Sequence, residues 1–196
     1  MNGTPAFVIF FAAILTSNIL LANFLGMCSF LVCSRQRNTA LGLGAAVTFV
    51  MSFTTVINYC LYHFLLVPLD LEYLTFILFI AVIAAFVQFV EMFLERFSPL
   101  LYYALGIFLP LITVNCAILG VALFMVIRQY SFWQTLAYGA GSGLGWTLAI
   151  TLMAGMRQRI RFSNVPEPLQ GVAITMLITG VMAMAFMGFA GMVNIQ

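Results

Sequence analysis

Four cysteines, at 28, 33, 60 and 116, one histidine at 63 and five carboxylates are the side chains of this 196-residue chain best suited to hold a metal or move charge. Thiolates take soft metals and iron–sulfur clusters, and such sites ask for four ligands. No Cys-x-x-Cys pair is present. Cys33 follows Cys28 by five residues, roughly 140° around a helix, and stands close to Arg35, so it reads as a free interfacial thiol. Cys60 reads as packing, and His63 as a solvated or headgroup-contacting imidazole. Glu91 and Glu95, one turn apart beside Arg96, read as a surface ion pair. Cys28 and Cys116 remain. They are either two buried apolar thiols or half of a metal site whose other two ligands come from a second chain. Walker, Rossmann, zinc-protease and nucleophile-elbow motifs are absent, so no catalytic residue is expected in this chain.

The elements that must carry these residues follow from composition. Hydrophobic residues make up 64% of the chain and charged residues 6%, with a mean hydropathy of +1.15. A soluble domain carries about 25% charged residues. The uncharged runs 1–34, 38–69, 73–90, 97–127, 129–156 and 168–196 each reach or approach the ~20 residues that cross a bilayer core of about 30 Å. Six transmembrane helices are expected. Nothing alternates as a β-barrel would, and the first run lacks the basic start and cleavage site of a signal peptide. A net charge of +2 supplies no basic patch for nucleic acid. Four cysteines in such a chain do not form a secreted disulfide framework.

The arginines orient the helices. Arg35, Arg37, Arg96, Arg157, Arg159 and Arg161 fall in loops after the first, third and fifth helices, whereas Arg128 stands alone on the other side with Asp70, Glu72 and His63. The positive-inside rule places the six in the cytoplasm and both termini outside. Gly42 and Gly44 lie 97 positions before Gly139 and Gly141, and Cys28 lies 88 before Cys116. Residues 1–98 and 99–196 therefore read as two three-helix repeats inserted with opposite topology, although small residues serving close helix packing account for most glycines. Helices one and four are longer than one crossing and are interrupted, by Asn23, Gly26 and Ser29 and by Pro110, Thr113 and Asn115. A cysteine follows each interruption. Paired interrupted helices are the best sequence pointer to a site at the bilayer midplane, and they suit a small inverted-repeat transporter equally.

Phe24-Leu-Gly-Met-Cys28 and Gly106-Ile-Phe-Leu-Pro-Leu-Ile-Thr-Val-Asn-Cys-Ala-Ile-Leu-Gly120 resemble the paired signatures of two related membrane proteins of the sodium-translocating NADH:quinone oxidoreductase, its D-type and E-type subunits. They are similar too to the A-type and E-type subunits of the related Rnf complex. Tyr138-Gly-Ala-Gly-Ser-Gly-Leu-Gly-Trp146 and Phe186-Met-Gly-Phe189 extend the likeness, which runs over nearly the whole chain. The Val-Asn-Cys form is most similar to the E branch of the sodium pump, with the A-type Rnf subunit the nearest rival. The resemblance implies a bacterial inner-membrane subunit with both termini periplasmic. It implies that Cys28 and Cys116 bind a [2Fe–2S] cluster, with two further cysteines from a paralogous D-type subunit. It also implies other subunits of the complex as partners, and electron transfer across the bilayer coupled to sodium export.

Overall fold

The computed structural model describes residues 5–97, 109–160, 162–163, 166 and 170–189, and these are helical, with no strand among them. In hydrocarbon every backbone polar group must be satisfied within its own segment, and an apolar chain that crosses a bilayer meets that demand as helices. The helices are α1 (Ala6–Ile14), α2 (Ile19–Asn23), α3 (Met27–Cys33), α4 (Arg37–Leu61), α5 (Thr75–Phe97), α6 (Leu109–Thr113), α7 (Cys116–Ile127), α8 (Phe132–Ile160) and α9 (Val172–Met187). A π turn, Tyr62–Leu66, prolongs α4. Arg37–Leu66, Thr75–Phe93 and Pro110–Ile127 are each long and apolar enough to span a membrane, and Val172–Met187 is apolar but shorter. The expected repeat boundary at 98/99, Arg161, Glu167 and both chain termini lie outside the described residues.

At the centre, α8 packs against α4 and α1. The approach is close because small residues line it. A Cβ at Gly143 would stand 2.7 Å from Thr48 Cα, and one at Gly141 would stand 2.7 Å from the Phe10 carbonyl oxygen. Thr48 and Thr147 join their hydroxyls across the seam at 2.9 Å, and Thr147 also donates to the Gly44 carbonyl at 2.9 Å. Elsewhere hydroxyls turn back onto their own helix, as Thr54 does to Val50 O and Thr179 to Thr175 O. That is how a hydroxyl is satisfied among apolar neighbours. By contrast, α5 buries one stripe at every fourth residue, Thr75, Phe79, Ile83 and Val87, and leaves Phe76, Ile77, Ile80 and Phe89 exposed. Such a helix meets the core along one edge and presents the rest to lipid or another chain.

Both expected interruptions are present, with two differences. The first run breaks twice, at 15–18 and at 24–26, because Asn18 caps α2: its Oδ1 accepts from the Leu20 and Leu21 amides at 3.1 and 3.4 Å. The fourth run breaks at Val114–Asn115, the last part of the expected Pro110–Asn115 interruption, and Pro110 itself lies within α6. Asn115 causes that break by capping α7, its Oδ1 accepting from Ala117 N–H at 3.0 Å.

Candidate functional site

The two breaks meet. Cys116 is the first residue of α7 and Cys28 the second of α3. The amide N–H of Gly26, the N-cap of α3, donates to Cys116 Sγ at 2.9 Å. Ser29 Oγ donates to the Gly26 carbonyl at 3.1 Å and receives a long 3.4 Å bond from Asn115 Nδ2. The start of each half-helix is thereby tied to the start of the other. Gly26 is required there on two counts. Its φ of +82° is left-handed, and a Cβ would lie 2.8 Å from Trp146 Nε1 and 2.9 Å from Asn115 Oδ1.

One helix holds this junction in place. From α8, the Gly145 carbonyl accepts from Asn18 Nδ2 at 2.8 Å, Trp146 packs against Gly26, and Arg157 Nη1 donates to Leu31 O and Ser34 Oγ, both at 2.8 Å. The guanidinium thus satisfies a carbonyl at the C-terminal end of α3, where a cation also suits the helix dipole. Asn18, Trp146 and Arg157 escape sequence reasoning because their partners lie more than a hundred residues away. Only the polar Thr16-Ser17-Asn18 run inside an apolar segment signals the first of them.

Cys28 and Cys116 are free thiols and both are exposed, while Ser29, Asn115 and Trp146 behind them are buried. Their chemistry is therefore directed outward from the chain. A backbone N–H is aimed at the Cys116 sulfur, which stands at the N-terminal end of α7. Two such sulfurs suit one half of a four-thiolate iron–sulfur site. Among the described residues no group of three or more His, Cys, Asp or Glu side chains could complete a metal site.

The other candidates stand apart. Cys33 is not the interfacial thiol expected: it is 2% exposed, because the last turn of α3 carries it inward beside Phe30 in the core. Cys60 is half-buried near the far end of α4. His63 lies in the π turn, exposed and stacked on Tyr59 with ring centroids 4.5 Å apart. Nearby, Arg128 ends α7, bonded to the Tyr130 hydroxyl at 3.1 Å and lying over the Phe124 and Tyr138 rings. Glu91 is half-buried, and Glu95 and Arg96 are exposed, at the end of α5.

Comparison with known proteins gives this geometry a context. The family described as "Rnf-Nqr subunit, membrane protein" matches residues 6–193. The E-type subunit of the Na(+)-translocating NADH-quinone reductase of Psychrobacter sp. (strain PRwf-1) is 50% identical over 194 residues, covering 94% of this chain and 96% of that protein. The corresponding protein of Serratia proteamaculans is 51% identical over 189 residues, covering 93% and 96%. The A-type subunit of the Na(+)-translocating ferredoxin:NAD(+) oxidoreductase complex of Acetobacterium woodii is also 51% identical, over 184 residues, covering 94% and 96%. With its family match spanning almost all of the described helices, this chain belongs to the Rnf–Nqr family of membrane subunits.

Proposed function

We propose that this chain is a membrane subunit of the sodium-translocating NADH:quinone oxidoreductase, in which Cys28 and Cys116 supply two of the four thiolates of a [2Fe–2S] cluster. A paralogous D-type subunit supplies the other two. The observation that carries this reading is the pair of exposed thiols at one junction, with the Gly26 N–H on Cys116 Sγ. When bound, the cluster would supply a one-electron carrier for transfer across the bilayer coupled to sodium export. The chain's own residues do the rest: Gly26 lends an N–H to one sulfur, while Trp146 and Arg157 of α8 hold the half-helix that carries the other.

Depth supports the proposal. From Cys116, α7 runs 12 residues to Arg128, and from Met27, α3 runs 7 residues toward Arg35. At 1.5 Å per residue these are about 18 Å and 10 Å, together close to a bilayer core of ~30 Å. The junction then lies inside the hydrocarbon, with α3 ending at the arginine-rich cytoplasmic side and both termini periplasmic. A carrier held there would divide an electron path of membrane thickness into two shorter steps.

The test is iron and acid-labile sulfide in the purified complex, read with its visible absorption. Cys28→Ser and Cys116→Ser are each expected to remove the cluster's iron and its absorption band. Full iron in the double variant would sink the proposal. A second reading, an Rnf-type complex, is favoured by the equal identity to the Acetobacterium protein. Reduction of quinone by NADH, as opposed to reduction of NAD+ by ferredoxin, separates the two complexes.

A further inference from the structure

Most serines and threonines of the central helices bond a carbonyl one turn back, as Ser52, Thr54, Thr55, Thr147, Thr151 and Thr179 do. Two on α8 depart from that pattern. Ser142 Oγ is fully buried with only the Tyr138 hydroxyl beside it, and Thr135 Oγ1 is fully buried with no hydrogen-bond partner in the protein. Trp146 Nε1 and both polar atoms of the Asn58 amide share this condition. A buried polar atom without a partner costs on the order of 1–3 kcal/mol, and a water with two to four polar neighbours is the usual remedy.

Their placement is not scattered. At 100° per residue, Thr135, Ser142 and Trp146 fall within a stripe about 40° wide on α8. The faces on either side of it are accounted for: Gly139 and Gly143 meet α4, and Gly141 and Gly145 meet α1. The stripe between faces α7 and α3, as Trp146 beside Gly26 and Tyr138 beside Tyr130 and Arg128 demonstrate. Asn58 joins it from α4. The antiparallel pairings Gly44–Thr147, Thr48–Gly143 and Thr55–Gly139 bring residue 58 opposite the turn that holds Thr135. At that end a cleft of about 370 Å³ opens, lined by Tyr59, Tyr62, His63, Gln129, Tyr130 and Ser131. At the other end stand Gly26 and the sulfur of Cys116.

We infer that a file of ordered internal waters runs along α8 from the Tyr59–His63–Tyr130 cleft, past Asn58, Thr135 and Ser142, to Trp146 at the Gly26–Cys116 junction. Over the 11 residues from Thr135 to Trp146 the file is about 16 Å long. It gives the thiol junction a hydrated connection to the Arg128 side of the molecule, with hydroxyls and an indole N–H to orient each water. This connection stands whether or not the thiolates hold iron.

X-ray hydroxyl-radical footprinting of the purified complex in H2(18)O tests it, since radicals formed in bound water label buried side chains beside that water. Trp146 and Met153 are equally sealed, at 0% exposure each, but Met153 lies beyond the end of the file. Trp146 is expected to take up label at least about fivefold faster than Met153. Thr135→Val with Ser142→Ala is expected to cut Trp146 labelling by a similar factor and to leave exposed Trp133 unchanged. If the double variant fails to assemble, Ser142→Ala alone serves. An unlabelled Trp146, or labelling that survives the substitutions, overturns the inference. So does a rise in thermal midpoint in Ser142→Ala, because a hydroxyl with no bonded water is improved by removal.

Discussion

The amide nitrogen of Gly26 and the sulfur of Cys116 lie 2.9 Å apart, although 90 residues separate them in the chain. The donor is a backbone N–H, so this contact depends on where the α3 cap is held. Its dependence on Gly26 gives the first prediction. Gly26→Ala forces an L side chain into left-handed backbone, at about 1 kcal/mol, and overpacks it against Trp146 and Asn115, at about 1–3 kcal/mol more. The variant complex should show a lower thermal midpoint and altered reactivity of Cys116 toward maleimide. Wild-type values for both would refute the assigned geometry.

Arg157 is expected to matter through α3 rather than through charge at the membrane surface. Arg157→Gln removes the donor from the Leu31 carbonyl and the fully buried Ser34. A loss of about 1–3 kcal/mol follows, against about 1 kcal/mol for Ser34→Ala. Denaturant titration in micelles measures both. Equal and negligible effects would show that α3 does not need this anchor.

Glycines separate by what surrounds them. A methyl at Gly141 meets the Phe10 carbonyl, backbone that cannot yield, whereas nothing lies within 4 Å of a methyl at Gly180. Gly141→Ala should destabilise by about 1–3 kcal/mol, and Gly180→Ala should be neutral or stabilising by about 0.5–1 kcal/mol. Thermal unfolding of the two variants side by side decides it; a reversed order would contradict the seating of α1 on α8.

Asn18 caps α2 with its oxygen and reaches Gly145 with its nitrogen. Asn18→Ser keeps a capping oxygen and loses the reach, and Asn18→Ala loses both. Stability should fall in the order Asn, Ser, Ala, with about 1 kcal/mol separating the last two. Guanidinium midpoints would reveal any other order.

Much of this is legible in the residues. Polar and glycine positions inside overlong uncharged runs mark the breaks at Gly26 and Asn115, and a cysteine just beyond each marks the candidate site. The break at 15–18 has only the polar Thr16-Ser17-Asn18 run to signal it, and the tie from Asn18 to the Gly145 carbonyl on α8 has no local signal. Of the residues marking the second interruption, Asn115 makes the break by capping α7, while Pro110 sits near the start of α6, where a proline is tolerated. Cys33 misleads because its inward turn depends on how α3 lies on the core. Trp146 and Arg157 carry no local signal at all.

The seam between α4 and α8 has a mechanical consequence. Thr48 and Thr147 clasp hydroxyls across it, and the glycines opposite leave less clearance than a methyl group requires. Interlocked surfaces of this kind can neither slide nor hinge without first prising the helices apart. The seam makes α4 and α8 one stiff unit, against which α1 and α7 are seated.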